Sequence, residues 1–528
     1  MDDKISFQII DISPDDIPVD ISSGNEWPKT FAMTFYGKTK KKENIVCNVS
    51  GFSPYFYMRV PDDWNVTFLK TFLQTYVGKY IIEHETRNIK NADEKEEVSG
   101  KKQWRWKKIT EKIEVDYHYN FYGYNYDPET KDIKTYKFFK LYFTTYFNMT
   151  YLIRSITKYY KENKYNQHDD DKVKGWFNQD DNCDCVAHLY EAKVHPMLRF
   201  IHEKNIDPSG WVTIPNKNIV PEAEKKFNVD IEISDVSVKD INPIRSDDIA
   251  PFITASFDIE CDSSHGDFPN PKKDFKKLAI DIFESYFRTS KNCDDSLFIK
   301  QKFLEKCIKD AFNDGSNDVQ NIFAINAPYS ENSFQETLKK FNESFFEKFD
   351  TSKESTKTRE TFLNDFTNIL NNLKNDQNEK IIIKGDPIIQ IGTAFHRYGE
   401  KECYNKSIVV IGNDELPNEK ICDSLDEYGI QVYECSSEKE LLLKWKEIIL
   451  HHNPDILTGY NIFGFDFDYI NKRIDFLFPC SCKCKKSKTY SNCDYKCPKC
   501  DFYRLGRLMR SNSDRMINEP SKEKNTLS

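Results

Sequence analysis

The 528 residues predict an α/β region, a mixed sheet with flanking helices, preceded by a mixed β-rich region. Three features predict it. Up to about residue 250 the chain reads as short runs rich in Tyr, Phe, Val and Ile, broken by turn signals at Gly51, Pro61 and Gly123. Beyond Lys380, strand-like runs precede and follow a helical segment, the order that produces an α/β sheet. Between these parts, residues 274–378 carry apolar residues at helical spacing.

The length suits two to four domains, and the change of pattern divides the chain into 1–250 and 251–528. In the first part, polar stretches at about 88–103 and 161–183 read as mobile loops. Lys101-Lys102-Gln103-Trp104-Arg105-Trp106-Lys107-Lys108 interleaves aromatic and basic residues. It reads as an alternating strand with buried indoles, and single-strand contact by stacking is the alternative. Val229-Asp230-Ile231-Glu232-Ile233-Ser234 alternates strictly, which puts Asp230 and Glu232 on the solvated face of a half-buried strand. Ile253-Thr254-Ala255-Ser256-Phe257 is nearly continuous in apolar and small residues, as in a strand covered on both faces.

Within the helical stretch, Phe334, Leu338, Phe341, Phe345 and Phe349 follow the capping pattern Ser333-x-x-Glu336, and Phe362, Phe366, Ile369, Leu370 and Leu373 form a second stripe. These faces are expected to pack on one another or on the sheet, with docking of a partner as the alternative. Strands are then expected at 381–383, 407–411 and 431–433, a helix at 437–450, a strand and turn at 455–461, and a helix from Phe465.

Candidate chemistry starts where the 253–257 run ends. Asp258 and Glu260, at i and i+2 of a strand, point to one face, at the carboxyl end where α/β sheets hold their ligands. Gly459-Tyr460-Asn461-Ile462-Phe463-Gly464-Phe465-Asp466 then supplies a further acid at a turn that opens a helix. Gly459 is expected to relieve the turn and Asn461 to tie it through its amide. Asp468 reads as a solvated first-turn acid, favourable to the helix dipole.

Together these segments resemble the first two exonuclease motifs of the B-family DNA polymerases: Asp-x-Glu, and Asn-x-x-x-Phe-Asp following Gly-Tyr. The stretch 385–395 resembles the strand that follows the first motif, and 7–11, 51–58 and 208–212 resemble the family's N-terminal domain. In detail the likeness is to delta-like polymerases of large nucleocytoplasmic DNA viruses. The resemblance implies a ribonuclease-H-like exonuclease fold over 251–528 behind the family's N-terminal domain over 1–250. It implies hydrolysis of the 3′-terminal phosphodiester of DNA with two Mg²⁺ ions about 3.5–4 Å apart, which activate water and stabilise the departing oxygen. Hard cations of this kind take carboxylate oxygens. Asp258 would bridge both ions, Glu260 would bind the one that activates water, and Asp466 the other. Tyr460, Asn461 and Phe465 would contact the single-stranded 3′ end of a primer. Further implied partners are a second polymerase chain or segment and a sliding clamp.

The sequence departs from the family in one respect that bears on activity. The third exonuclease motif, Tyr-x-x-x-Asp, is matched only in letters by Tyr490-x-x-x-Asp494, which falls inside a cysteine cluster. Signatures of the polymerase palm are also missing. The expectation is therefore an exonuclease domain incomplete at its C-terminus, without palm, fingers or thumb, and weak or inactive by itself. A free-standing 3′–5′ exonuclease and a catalytically incomplete DNA-binding or docking module are the alternatives.

Six of the 15 cysteines, Cys480, Cys482, Cys484, Cys493, Cys497 and Cys500, crowd into one insert. Four of these six would close a tetrahedral Zn²⁺ site. All 15 cysteines are unevenly spaced, show no secreted framework and fit a reducing compartment. A net charge of −9 argues against a protein that grips DNA over its whole surface. Residues 471–528, however, carry 14 Lys and Arg against 6 Asp and Glu, which suits phosphate contact. No run of about 18 apolar residues occurs, so a membrane is not an expected partner. The resemblance implies a soluble, intracellular protein at a virus replication site in host cytoplasm or nucleus.

Overall fold

Alternating burial along the strands builds the two sheets of the first unit. The computed structural model describes residues 3–18, 28–59, 62–119, 126–163, 188–263, 266–289, 296–353, 355–412, 428–478, 501–502 and 505–507. The chain divides into two compact units, Met1–Phe252 and Ile253–Ser528. The described strands of the first are β1 (Lys4–Pro18), β2 (Lys29–Lys38), β3 (Asn44–Ser50), β4 (Tyr55–Arg59), β5 (Lys112–Tyr119), β6 (Thr135–Tyr142), β7 (His188–Tyr190), β8 (Trp211–Pro215), β9 (Ile231–Ser237) and β10 (Asn242–Ile244). One sheet runs β10-β8-β1-β2-β3-β9 and buries Phe7, Ile9, Phe31, Met33, Phe35, Ile45 and Val49. The other runs β5-β6-β4-β7 with every pair antiparallel. One of its faces, Phe56, Met58, Phe139 and Leu141, packs against the intervening helices, among them Ala92–Lys107 and Tyr146–Asn163.

Three expectations fail in this unit. The stretch expected as a mobile loop and an alternating strand is the helix Ala92–Lys107, capped by Asn91, whose side chain accepts from the Asp93 and Glu94 amides. Residues two apart on a helix lie about 200° apart, so the two indoles diverge: Trp106 is buried against Gly78, while Trp104 faces outward. Nor is Glu232 solvated. It is buried and accepts from the Lys226 amide at 2.8 Å and the Phe227 amide at 3.2 Å, while Asp230 accepts from the Asn44 amide. These acids tie loops to the sheet, a role that alternation alone cannot signal. Most of the second polar stretch, from residue 164, lies outside the described residues.

The second unit holds β11 (Ile253–Cys261), β12 (Ile388–Arg397), β13 (Asn405–Ile411), β14 (Ile430–Cys435) and β15 (Ile456–Thr458), in the order β14-β13-β12-β11-β15. Among these described strands, only β12 runs against the others. β11 is not covered on both faces: Ile253, Ala255, Phe257 and Ile259 are buried, whereas Ser256, Asp258 and Glu260 are exposed. The buried row packs with Leu441, Leu442, Trp445 and Ile449 of the helix Glu438–His452, whose N-terminus Ser437 caps through the Glu440 amide. Small residues had made the run look uniformly apolar.

The described residues of 276–370 form five helices around a separate aromatic core that includes Phe283, Phe334, Phe341, Phe349, Phe362 and Phe366. The first stripe is split between Glu331–Leu338 and Glu343–Thr351. The cap is Ser330 rather than Ser333, which is buried and instead accepts from the Lys374 amide at 2.9 Å. Residues 381–383 make no strand. Ile381 joins the helical core, and the Ile382 amide donates to the Asn326 side chain, so this segment closes the helical insertion and does not extend the sheet.

Candidate active site

Asp258 of β11 and the first residue of the helix Asp466–Leu477 meet at one end of the sheet. Gly392, directly opposite Asp258, leaves open space on that face, where a Cβ would meet nothing within 4 Å. Asp466 is 1% exposed and accepts from the Ile259 amide at 3.2 Å. Its carboxylate lies within hydrogen-bonding reach of Asp258. Burial pushes the Asp466 carboxyl above its ordinary value, two backbone amides pull it down, and the neighbouring Asp258 raises it further. Two carboxylates so close repel when both are ionised, and a cation between them would relieve both repulsion and burial. Glu260 is exposed on the same face as Asp258. Among the described residues, no group of three or more His, Cys, Asp and Glu has metal-holding spacing. The structure thus brings Asp258 and Asp466 together and leaves Glu260 beside them without closing a three-acid set.

The turn before the helix is shaped by close approach. A Cβ on Gly459 would sit 2.5 Å from the Phe257 carbonyl oxygen and from the Ile462 side chain, and φ there is not positive. Asn461 takes the left-handed conformation instead, with φ of 52°, and its amide lies against Gly464. Tyr460 is 93% exposed, and Phe463 and Phe268 are also exposed. Phe465 is half-buried and meets Phe268 edge-on at 5.7 Å. Phe268 and Phe463 were missed by sequence reasoning. Phe463 lies inside the quoted motif as an unassigned large apolar residue, and Phe268 had no signal. Asp468 pairs with Lys472 at 2.6 Å on the helix surface.

A buried clamp fixes the direction of this helix. Arg473, 2% exposed, donates to Glu438 through Nε at 2.7 Å and Nη2 at 2.5 Å, and to the Pro271 carbonyl at 3.1 Å. Glu438 also accepts from the Ile388 amide at 2.9 Å, at the start of β12. Tyr469 donates to the Asp386 carbonyl at 3.0 Å, and the Asp386 carboxylate pairs with Lys273. Asp466, Tyr469 and Arg473 share one helix face, at i, i+3 and i+7. The face that presents the acid therefore also holds both roots of the helical insertion. Arg473 was legible only as a charge at a core position of an apolar helix.

Past the helix, the Phe478 and Phe502 rings lie 6.1 Å apart, Lys446 pairs with Asp501 at 2.7 Å, and Arg507 pairs with Asp455. The six candidate zinc cysteines, Cys480 to Cys500, and Tyr490 and Asp494 lie between these contacts and outside the described residues; of the basic segment 471–528, residues 471–478, 501–502 and 505–507 are described. Among the described residues, no helix is long and apolar enough to cross a membrane.

This arrangement defines a carboxylate-bearing α/β sheet, and comparison with known proteins gives its family. The family model for DNA polymerase family B, exonuclease domain, matches residues 187–345 and 373–525, and the chain belongs to that family. Among curated proteins, a DNA polymerase of Pyramimonas orientalis virus is 29% identical over 88% of this chain and 35% of its own length. A DNA polymerase of Phaeocystis pouchetii virus is 27% identical over 84% of this chain and 44% of its own. The chain thus spans less than half the length of these relatives. A solved family B DNA polymerase from Pyrobaculum calidifontis aligns at 10% identity over 89% of this chain and 32% of its own, with a TM-score of 0.39.

Proposed function

We propose that this chain is the N-terminal and proofreading portion of a viral replicative DNA polymerase, in which the second unit removes the 3′-terminal nucleotide of a single DNA strand. The observation that carries the reading is the meeting of Asp258 and Asp466, with Asp466 pushed above its ordinary value by burial and by its neighbour. The ribonuclease-H-like fold is part of the proposal, and the five-strand order with β12 as the single antiparallel member supports it. So is the division into an N-terminal domain and an exonuclease domain with a helical insertion.

Asp258, Asp466 and the adjacent Glu260 would hold Mg²⁺, which when bound supplies activation of water and stabilisation of the leaving oxygen. The chain's own residues do the rest. The Ile259 amide fixes one oxygen of Asp466, and the Arg473–Glu438 clamp sets the helix that carries it. Tyr460, Asn461 and Phe465, with Phe463 and Phe268 beside them, offer the aromatic and amide groups that position an unpaired base. Polymerisation, a second chain or segment carrying the third exonuclease motif, and a sliding clamp belong to the proposal for the whole protein. Weak nuclease activity of these 528 residues alone does too.

Calorimetric titration with Mn²⁺ tests the site directly: binding by the wild-type chain and its loss in both Asp258→Ala and Asp466→Ala are expected. Equal binding by all three would defeat the assignment. Vigorous Mg²⁺-dependent digestion of a 3′ end by the chain alone, abolished by Asp258→Ala, would instead establish a self-sufficient exonuclease. For the cysteine insert the proposal is one Zn²⁺ held by four of the six thiolates. The Phe478–Phe502 contact supports it, because it holds the ends of the insert near one another. Less than about half a zinc per purified chain would rule it out.

A further inference from the structure

The helix Ala92–Lys107 ends in a surface whose composition the fold does not require. Trp106 has a structural reason: it is buried, and its ring fills the space beside Gly78, where a Cβ would come within 2.8 Å. Trp104 has none, being 62% exposed. Lys108 lies over its ring at 4.5 Å from the centroid. Arg105 reaches across to Phe147, the exposed second residue of the helix Tyr146–Asn163, at 5.5 Å from that ring. Phe147 in turn stacks on Tyr151, at 6.0 Å and 11°.

The cations of this region divide into two groups. Lys101 pairs with Glu97, and Lys102 with Glu85. Among the described residues, Arg105, Lys107 and Lys108 pair with no acid; Arg105 lies over the Phe147 ring and Lys108 over the Trp104 ring. A helix dipole favours cations in the last turn, which accounts for the charges but not for an exposed indole and an exposed phenyl ring among them. Exposed aromatic faces beside unpaired cations are what unpaired bases and their phosphates require. Duplex DNA hides its base faces and would meet only the charges.

We propose that Trp104, Arg105, Lys107, Lys108 and Phe147 form a binding site for single-stranded DNA on the first unit, with base stacking on Trp104 and Phe147 and phosphate contact by the three cations. DNA is the nucleic acid on which the family acts. The site is independent of the carboxylates of the second unit and stands or falls separately from them.

Fluorescence anisotropy of a labelled oligo-dT of about 15 nucleotides, titrated with the full chain in EDTA, tests the site. Trp104→Ala is expected to weaken binding at least about 5-fold, the lower end for loss of one base–aromatic stack, and Trp104→Phe to retain most of the affinity. Because Trp104 is exposed, both variants should keep the wild-type circular dichroism spectrum. The triple substitution Arg105→Ala, Lys107→Ala, Lys108→Ala is expected to reduce the slope of log affinity against log salt by about 2, at roughly 0.7 per phosphate contact on single strands. Unchanged affinity of Trp104→Ala overturns the proposal. So does an equal loss on blunt duplex, or a Trp104 effect seen with oligo-rU and not with oligo-dT.

Discussion

Replacing Arg473 by Ala removes one half of an ion pair that is buried on both sides, and the structure sets the scale of the damage. Glu438 would keep the Ile388 amide as a partner but lose both guanidinium bonds. Removing one member of a buried, hydrogen-bonded pair costs about 3–5 kcal/mol, because the remaining charge stays desolvated. The Pro271 carbonyl loses its donor in the same step. With a urea m-value of about 3 kcal/mol/M, that cost moves the midpoint down by about 1–2 M. Pulse proteolysis across a urea series, scoring the fragment of the second unit, reads the shift without assuming that the two units unfold together. The double substitution Glu438→Leu, Arg473→Met should be far milder, since paired apolar replacements of a buried ion pair are often neutral. Neither result should respond to added salt, because buried pairs are weakly screened. A single variant within about 0.5 kcal/mol of wild type, or a double variant as damaged as the single, would refute this account of the clamp.

Asp466→Asn should change how stability depends on pH. The folded state holds the Asp466 proton more tightly than the unfolded state, so stability is highest below the unfolded value near 3.8 and falls as pH rises through the raised folded value. Urea midpoints measured in EDTA from about pH 4 to 7 should therefore decline less in the Asn variant, and Mg²⁺ should stabilise wild type but not the variant. Parallel pH profiles would contradict the burial argument. Gly459→Ala forces a methyl group to 2.5 Å from the Phe257 carbonyl, an overpacking worth about 1–3 kcal/mol, and should lower the midpoint accordingly. An unaffected midpoint would mean that the turn yields freely.

Much of the second unit was legible because its signals are local. The strand and helix runs from 407 to 450 and the Asp-x-Glu and Gly-Tyr-Asn segments announced their elements and their acids. The failures share a cause. Trp104 and Trp106 suggested a strand because alternation was read without the helix cap at Asn91. Glu232 was assigned to solvent because alternation does not reveal which loop covers a face. The run 381–383 had strand composition but was captured by the helical core.

The sequence by itself singled out Asp258, Glu260 and Asp466 as acids of the type that suits a hard cation, since side-chain chemistry and an i, i+2 spacing are properties of the chain alone. It also determined the family. Tertiary structure decided that Asp258 and Asp466, 208 positions apart, share one end of the sheet, and that a buried Arg473–Glu438 pair holds the second acid there. Those facts depend on parallel pairing of β11 with β15 and on burial across long loops, which no local pattern encodes.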